Sequence, residues 1–302
     1  MICYKCLQKI TKSESAHHGL HPKCFIEWFN LSHDEEFNDV ALRQVEQESG
    51  GEFKQIASSF FQGKFKKYSA VLGINHYILK IQVEDYPELP RVEYLSNQLA
   101  DLFDLEVPPF YLIKFQNEVE SFVTKSFIQS KELENLVHIY RFFGKNQLFN
   151  CENLLKIIRD ETEKEKELEF FVKMCLFDAL IGNHDRHGRN LGLIRTNQGY
   201  RLAPMYDNPS YLGIEDERLL NAQLEPRGKI ATKKTDEPTM KDYVIEFKRL
   251  GFEDIINHFY KMINLEKILY LTNNSLVSKK RVEAMNKLII KRHKELENEL
   301  FS

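Results

Sequence analysis

The sequence predicts an α+β fold in two lobes, a small sheet-rich N-terminal lobe followed by a helical C-terminal lobe. Three observations carry this. Between residues 69 and 127, β-rich runs come in pairs around short turns: 69–72 and 76–81 around Gly73-Ile74-Asn75, then 110–115 and 119–127 around Gln116-Asn117-Glu118. One helix stands between the pairs, with Val92, Leu95, Leu99, Leu102 and Phe103 on one face. After residue 128 the pattern turns helical: 163–181 becomes apolar nearly all round at its end, and apolar stripes recur from Val244 to the last helix, 282–300. The expected units are a Cys/His-rich head (1–30), an N-terminal lobe (31–127) and a helical C-terminal lobe (128–302).

A chain of 302 residues is long enough for two compact units. Hydrophobic residues at 42% and charged residues at 29% fit a globular composition. The net charge of −3 supplies no global basic field, so no direct nucleic-acid partner is expected. No apolar run approaches the roughly 20 residues of a membrane span, and Met-Ile-Cys-Tyr-Lys-Cys-Leu-Gln-Lys does not read as a signal peptide. Five cysteines, an odd number, argue against a disulfide framework and for a reducing, cytoplasmic compartment.

The head carries Cys3-x2-Cys6 and His21-x2-Cys24. Two such pairs are what a tetrahedral zinc site needs, and so short a segment can hardly bury a core of its own. The plainer alternative is a pair of buried thiols beside a solvated histidine, and His17 and His18 are rival ligands. Residues 25–56 read as helix and linker. Phe25, Trp28 and Phe29 fall at helical spacing, and an acidic stretch ends near Gly50-Gly51.

In the first hairpin Lys80 lies inside an apolar run, Tyr77-Ile78-Leu79-Lys80-Ile81. A lysine there either snorkels from a sheet edge or holds the α- and β-phosphates of ATP, as the strand lysine of kinases does. Pro87-Glu88-Leu89-Pro90 opens the following helix and Val107-Pro108-Pro109 ends it. Glu93, beside the apolar stripe, is either an exposed first-turn acid favoured by the helix dipole or the ion-pair partner of Lys80. The end of the second hairpin, Val123-Thr124-Lys125-Ser126-Phe127, is the expected hinge, where backbone groups would meet an adenine edge. Phe127 reads as core or as a stack beside the base. Cys151 and Cys175 read as core thiols.

The most informative stretch is 181–210. Asp185 and Asn190 have four residues between them, and Asn197-Gln198-Gly199 between two apolar runs signals a hairpin. A hairpin returns Asp207 toward Asp185 and Asn190. Phosphoryl transfer from ATP needs a carboxylate beside the attacking hydroxyl and oxygen ligands for magnesium. Kinase loops supply these as an Asp, four residues, an Asn, and an Asp at a later strand end. Asp185 is then the base, and Asn190 and Asp207 hold the metal. His187 would contact phosphate or structure the turn, and Arg189 would screen phosphate charge; either could instead pair with the loop's own carboxylates. Asp, Asn and Gly are also ordinary turn residues. Three such groups converging among apolar neighbours are nonetheless costly unless paired or metal-bound.

The pieces Leu-Ile-Gly-Asn-His-Asp-Arg-His-Gly-Arg-Asn (180–190) and Leu-Ala-Pro-Met-Tyr-Asp (202–207) resemble the HipA-like serine/threonine kinases, bacterial toxin-type kinases with some secreted effectors among them. More weakly, the resemblance spans roughly residues 55–270. It implies a two-lobed protein-kinase-like fold and ATP- and magnesium-dependent phosphorylation of a protein Ser or Thr. It gives Ile78-Leu79-Lys80 the phosphate lysine. It matches residues 58–64 to a serine-rich loop, S-x-S-G-x-Q-x-K, that covers the phosphates and carries an autophosphorylated serine. Gln62, Lys64 and Ser59 fit that loop, whereas Ala57 and Phe60 stand where the family has Ser and Gly. Ser59, with Ser58 beside it, is the autophosphorylation candidate. Some relatives carry a similar Cys/His head. The resemblance further implies a translation-factor or aminoacyl-tRNA-synthetase substrate, a neutralising antitoxin partner, and the bacterial cytoplasm, or the host cytosol for an effector.

Two other functions compete. A lipid or small-molecule kinase would share Gly-Asn-x-Asp-Arg-His-x-x-Asn, although no basic amphipathic helix stands out to face a membrane. A catalytically weak nucleotide-binding scaffold would explain the atypical 58–64 loop, but the set Lys80, Asp185, Asn190 and Asp207 opposes it. No G-x4-GK[ST] occurs, which disfavours a P-loop ATPase. Residues 211–243, with Lys229, Lys233 and Lys234, have the place of an activation or substrate loop, although three lysines more often mean solvated surface.

Overall fold

A computed structural model describes residues 1–11, 16–43, 66–115, 118–128, 134–221 and 225–301. The serine-rich stretch with Ser58, Ser59 and Lys64 lies outside these residues, as does the turn at Gln116-Asn117. The first sheet is built from β1 (Asn38–Leu42), β2 (Lys66–Leu72), β3 (Asn75–Ile81), β4 (Phe110–Phe115) and β5 (Val119–Lys125), all antiparallel, in the order β1-β2-β3-β5-β4. Gly73 makes the β2–β3 turn possible, because it takes a left-handed φ of +59° that costs glycine little.

Side-chain alternation sends the two faces of this sheet in different directions. Ala70, Leu72, Tyr77, Leu79, Tyr111, Ile113 and Val123 face one way. They form a core with Cys3, Ile10, Leu20, Phe25, Phe29 and Phe37 of the N-terminal segment. Helix α1 (Pro22–Phe29) delivers Phe25 and Phe29 to this core, with Trp28 packed beside them and Phe29 stacked 4.1 Å from Tyr111 between ring centroids. Lys80 and Phe122 lie on the opposite face, the lysine Nζ 5.6 Å from the ring centre. Helix α2 (Leu89–Asp101) covers that side and carries Glu93. Its buried Val92, Leu95 and Leu99 belong to the large helical core, so α2 lies between the sheet and the helices.

The C-terminal half holds α3 (Cys151–Thr162), α4 (Glu165–Ile181), α5 (Met240–Arg249), α6 (Glu253–Met262), α7 (Leu265–Asn273) and α8 (Lys279–Phe301). Asn150 caps α3 by accepting the N–H of Asn153 at 2.9 Å. A second antiparallel sheet joins β6 (Asn135–His138), β7 (Gly192–Thr196) and β8 (Gly199–Leu202), with β7 in the middle.

Several local expectations change. The expected 163–181 helix is broken at its start, because Glu163 takes φ +55° as the left-handed cap of α3 and α4 begins at Glu165. Residues 25–56 are not only helix and linker: α1 starts at Pro22, and β1 follows as a largely exposed edge strand. Strand β2 begins at Lys66 rather than at residue 69. Cys151 and Cys175 are buried in the helical core as expected.

Candidate active site

Helix α4 ends at Gly182, whose φ of +74° turns the chain and where a Cβ would collide with Leu288 and Pro226. The loop that follows is held by two residues. Asn183 donates to Asp178 Oδ1 at 2.8 Å and accepts the N–H of Asp185 at 3.0 Å. Arg186, only 1% exposed, places all five of its N–H donors. Two go to the Asp178 carboxylate at 2.7 and 3.0 Å. Two go from Nη1 to the carbonyls of Asn190 and Tyr206, each at 2.9 Å, and one goes to Asn208 Oδ1 at 2.7 Å. One planar fork thus ties the end of α4, the loop and the segment after β8.

Asp185 is buried at the head of this loop. Asn190 Nδ2 donates to its backbone carbonyl at 2.9 Å and reaches its Oδ2 at 3.3 Å. His187 Nδ1 accepts the Arg189 N–H at 3.0 Å, which puts the ring proton on Nε2, 3.8 Å from Asp185 Oδ2. Burial drives the His187 imidazole down to about 3, with Lys229, Arg186 and Lys67 adding to the effect and Asp207 opposing it. His187 is therefore neutral at neutral pH. Its Nδ1 bond to the Arg189 N–H lies within the turn beside Asp185.

The β7–β8 hairpin returns the chain as expected. Ala203 N–H donates to the Gly192 carbonyl at 2.9 Å, and Tyr206 Oη donates to the Arg189 carbonyl at 2.9 Å. Asp207 follows with φ +55°, a left-handed conformation that a non-glycine residue holds at some cost and that clusters at functional sites. Its Oδ1 lies 2.5 Å from Lys80 Nζ and its Oδ2 lies 2.8 Å from Lys67 Nζ. Lys80 also pairs with Glu93, so the lysine is an ion-pair partner and not an edge residue.

Lys67, Lys80, Asp207 and Glu93 bring two basic and two acidic groups together, and burial raises the pKa of the Glu93 carboxyl against the pull of Lys80. Burial works against the Lys80 ammonium, but the Asp207 and Glu93 carboxylates outweigh it and raise its pKa. Burial likewise opposes the Asp207 anion, and Lys67 and Lys80 outweigh that and hold its pKa far below the ordinary carboxylate value.

Other expected site residues fall as follows. Lys125 ends β5 opposite Tyr77. Its N–H and that of Ser126 are taken by the carbonyls of Pro109 and His76 at 2.8 Å each, so these two hinge amides are committed to the sheet rather than offered to an adenine edge. Phe127 packs 5.6 Å from Tyr206, the neighbour of Asp207. Arg189 lies over the Tyr140 ring at 6.0 Å. Cys3, Cys6, His21 and Cys24 come together beyond the other face of the sheet.

Lys67, Arg186 and Asp178 were not expected in the site from the sequence. A signal existed for Lys67. Strand alternation in the 66–81 hairpin sets it directly across from Lys80, and two facing cations call for a shared anion. For Arg186 the signal was weaker: an arginine in a polar, glycine-bounded loop directly after an apolar helix must find partners if buried.

A lysine–glutamate pair, an Asp-x4-Asn loop and a strand-end Asp on a two-lobed α+β scaffold define a kinase-like fold. The family model described as HipA-like C-terminal domain matches residues 40–285, and the chain belongs to that family. A putative kinase of Haemophilus influenzae is 29% identical over 164 residues, covering 48% of each chain, so the chain spans about half the length of this curated relative. The fold matches that of the Helicobacter pylori proinflammatory kinase CtkA with a TM-score of 0.66, at 18% identity over 88% of this chain and 98% of that one. It also matches HipA of Shewanella oneidensis MR-1, solved with HipB and operator DNA, with a TM-score of 0.53 at 15% identity over 85% and 66%. Among the described residues no helix is long and apolar enough to cross a membrane.

Proposed function

We propose that this chain is an ATP- and magnesium-dependent protein kinase acting on serine or threonine. The observation that carries the reading is the convergence of Lys67 and Lys80 on Asp207, with Glu93 behind Lys80. This residue set fits a metal–phosphate substrate. Asp207 and Asn190 would offer hard oxygen ligands to magnesium. With magnesium held by Asp207 and Asn190, Lys67 and Lys80, the latter still paired with Glu93, would be free to meet phosphate oxygens.

In the reaction the hydroxyl oxygen of the substrate forms a bond to the γ-phosphorus, and the bond from that phosphorus to the β,γ-bridging oxygen breaks to release ADP. Asp185 orients the hydroxyl and accepts its proton. Neutral His187, with Nε2 toward Asp185, adds no competing charge beside the base. Magnesium, when bound, neutralises the phosphate charge. Positioning and electrostatics supply most of the acceleration.

The substrate we favour is a protein hydroxyl, with Ser59 or Ser58 as autophosphorylation sites and a component of translation as the target in trans. An antitoxin-type partner is supported by the HipB seen with the Shewanella HipA. Zinc would belong to the Cys/His head and have no part in phosphoryl transfer.

The test is incubation with γ-labelled ATP and magnesium, wild type beside Asp185→Asn, followed by phosphosite mapping. Losing the base should cut incorporation by about 10²–10⁴-fold. Absence of ATP binding by the wild type would overturn the reading.

A further inference from the structure

We propose that Cys3, Cys6, His21 and Cys24 form a tetrahedral structural zinc centre that clamps the first residues of the chain to α1 on the outer face of the sheet. The proposal stands apart from the kinase reading, because it uses none of the same residues and lies beyond the opposite face of the sheet.

The ligand atoms of the four residues all lie within 4.8 Å of one another. His21 Nδ1 is 3.4 Å from Cys6 Sγ and 3.8 Å from Cys24 Sγ. With Zn–S near 2.3 Å and Zn–N near 2.0–2.1 Å, a tetrahedron sets sulfur and nitrogen ligands about 3.6 Å apart. Side chains drawn together only by burial would have no reason to adopt that spacing around a shared centre, and this cluster is not a dry one, since Cys6 is exposed.

The local backbone is built for the same purpose. Residues 2–9 form a tight knuckle: Ile2 and Lys9 are bridged, Leu7 takes φ +58°, and its N–H donates to the Cys3 carbonyl at 2.9 Å. His21 is the N-cap residue of α1 and Cys24 lies in its first turn, so the second ligand pair sits on a helix already fixed by Phe25 and Phe29.

The rival histidines are committed elsewhere. His18 reaches the Lys114 carbonyl at 3.1 Å through Nδ1 and Glu36 at 2.9 Å through Nε2. His17 Nε2 lies 3.2 Å from both the Glu35 carbonyl and Asp34 Oδ1. Three thiols and one imidazole are a soft donor set that favours zinc over magnesium or calcium. With all four positions filled by protein, the ion is structural.

The full chain, purified without chelators, should carry one equivalent of zinc by elemental analysis. Exchange with cobalt(II) should give the intense sulfur-to-metal charge-transfer bands of a thiolate site. Cys6→Ser/Cys24→Ser should lose the zinc and the bands, whereas His17→Gln/His18→Gln and Asp185→Asn should keep both. The cobalt spectrum of the wild type decides the matter even if the cysteine variant fails to fold. Far less than equimolar zinc with no charge-transfer band on adding cobalt would overturn the proposal. So would zinc that survives the cysteine substitutions or leaves with the His17/His18 pair.

Discussion

Lys67 and Lys80 stand directly opposite one another on β2 and β3, and both reach the carboxylate of Asp207. Two cations facing across a strand pair repel, so the sheet alone does not favour this arrangement. Asp207 supplies the anion from the segment that follows the second sheet. The same carboxylate therefore joins the two halves of the molecule and neutralises the pair of lysines.

Lys67 is about one-third exposed, so its pair with Asp207 adds little to stability. Lys67→Ala should unfold within about 1 kcal/mol of wild type. Its loss of a charge-assisted phosphate contact should weaken ATP binding about 10–100-fold. Nucleotide titration beside urea denaturation separates the two effects; unchanged ATP affinity would remove Lys67 from the site.

Lys80 behaves differently because it is buried between two acids. Lys80→Met strands Glu93 as an unpaired buried carboxyl and should cost about 3–5 kcal/mol. Adding Glu93→Gln should recover part of that stability while leaving phosphoryl transfer abolished. A double-mutant cycle on denaturation midpoints measures the coupling, and strictly additive losses would mean the pair is not coupled.

Arg186→Lys should be far from conservative. Lysine cannot occupy five directions in one plane, so the Asp178 carboxylate would lose both guanidinium bonds and keep that from the Asn183 amide, and the carbonyls of Asn190 and Tyr206 would lose the Arg186 fork. We expect a loss of about 3–5 kcal/mol, measured by chemical denaturation.

His187 gives the fold a pH dependence of known sign. The unfolded imidazole takes up a proton below its ordinary value of 6.5, whereas the folded one does so only near 3. Between these values the unfolded state binds the extra proton. This contribution is full above about pH 6.5 and is lost as the pH falls, by up to about 1.4 kcal/mol per pH unit. His187→Gln should show a shallower decline in the urea midpoint than wild type over that window. Parallel declines would rule the histidine out as the cause.

Much of this was legible in the sequence where the signal was local. The Gly73 turn, the stripe that made α2 and the Asn197-Gln198-Gly199 hairpin each depend on neighbours a few residues away. Lys80 stood out because a charge in an apolar strand requires a partner, and Asp207 because a hairpin must return. What was not legible was non-local. Strand β6 exists because β7 accepts it, and its four residues carry no pattern of their own. Strand β1 is mostly exposed and lacks apolar alternation. The role of Arg186 depends on Asp178, Tyr206 and Asn208, which no spacing rule brings together. Lys67 could have been found by extending the hairpin register toward the residues before Ser69.

The pairing of β6 with β7 has a consequence for biosynthesis. Strand β6 leaves the ribosome with α3 and α4 still to be made before its partner, so its hydrogen-bonding edge stays open in the meantime. The Ile139 N–H likewise waits for the Leu191 carbonyl. A chain that stops short of β7 therefore displays an open edge and lacks Asp207. Of Lys67, Lys80, Glu93 and Asp207, the carboxylate that both lysines share is thus the last to be made.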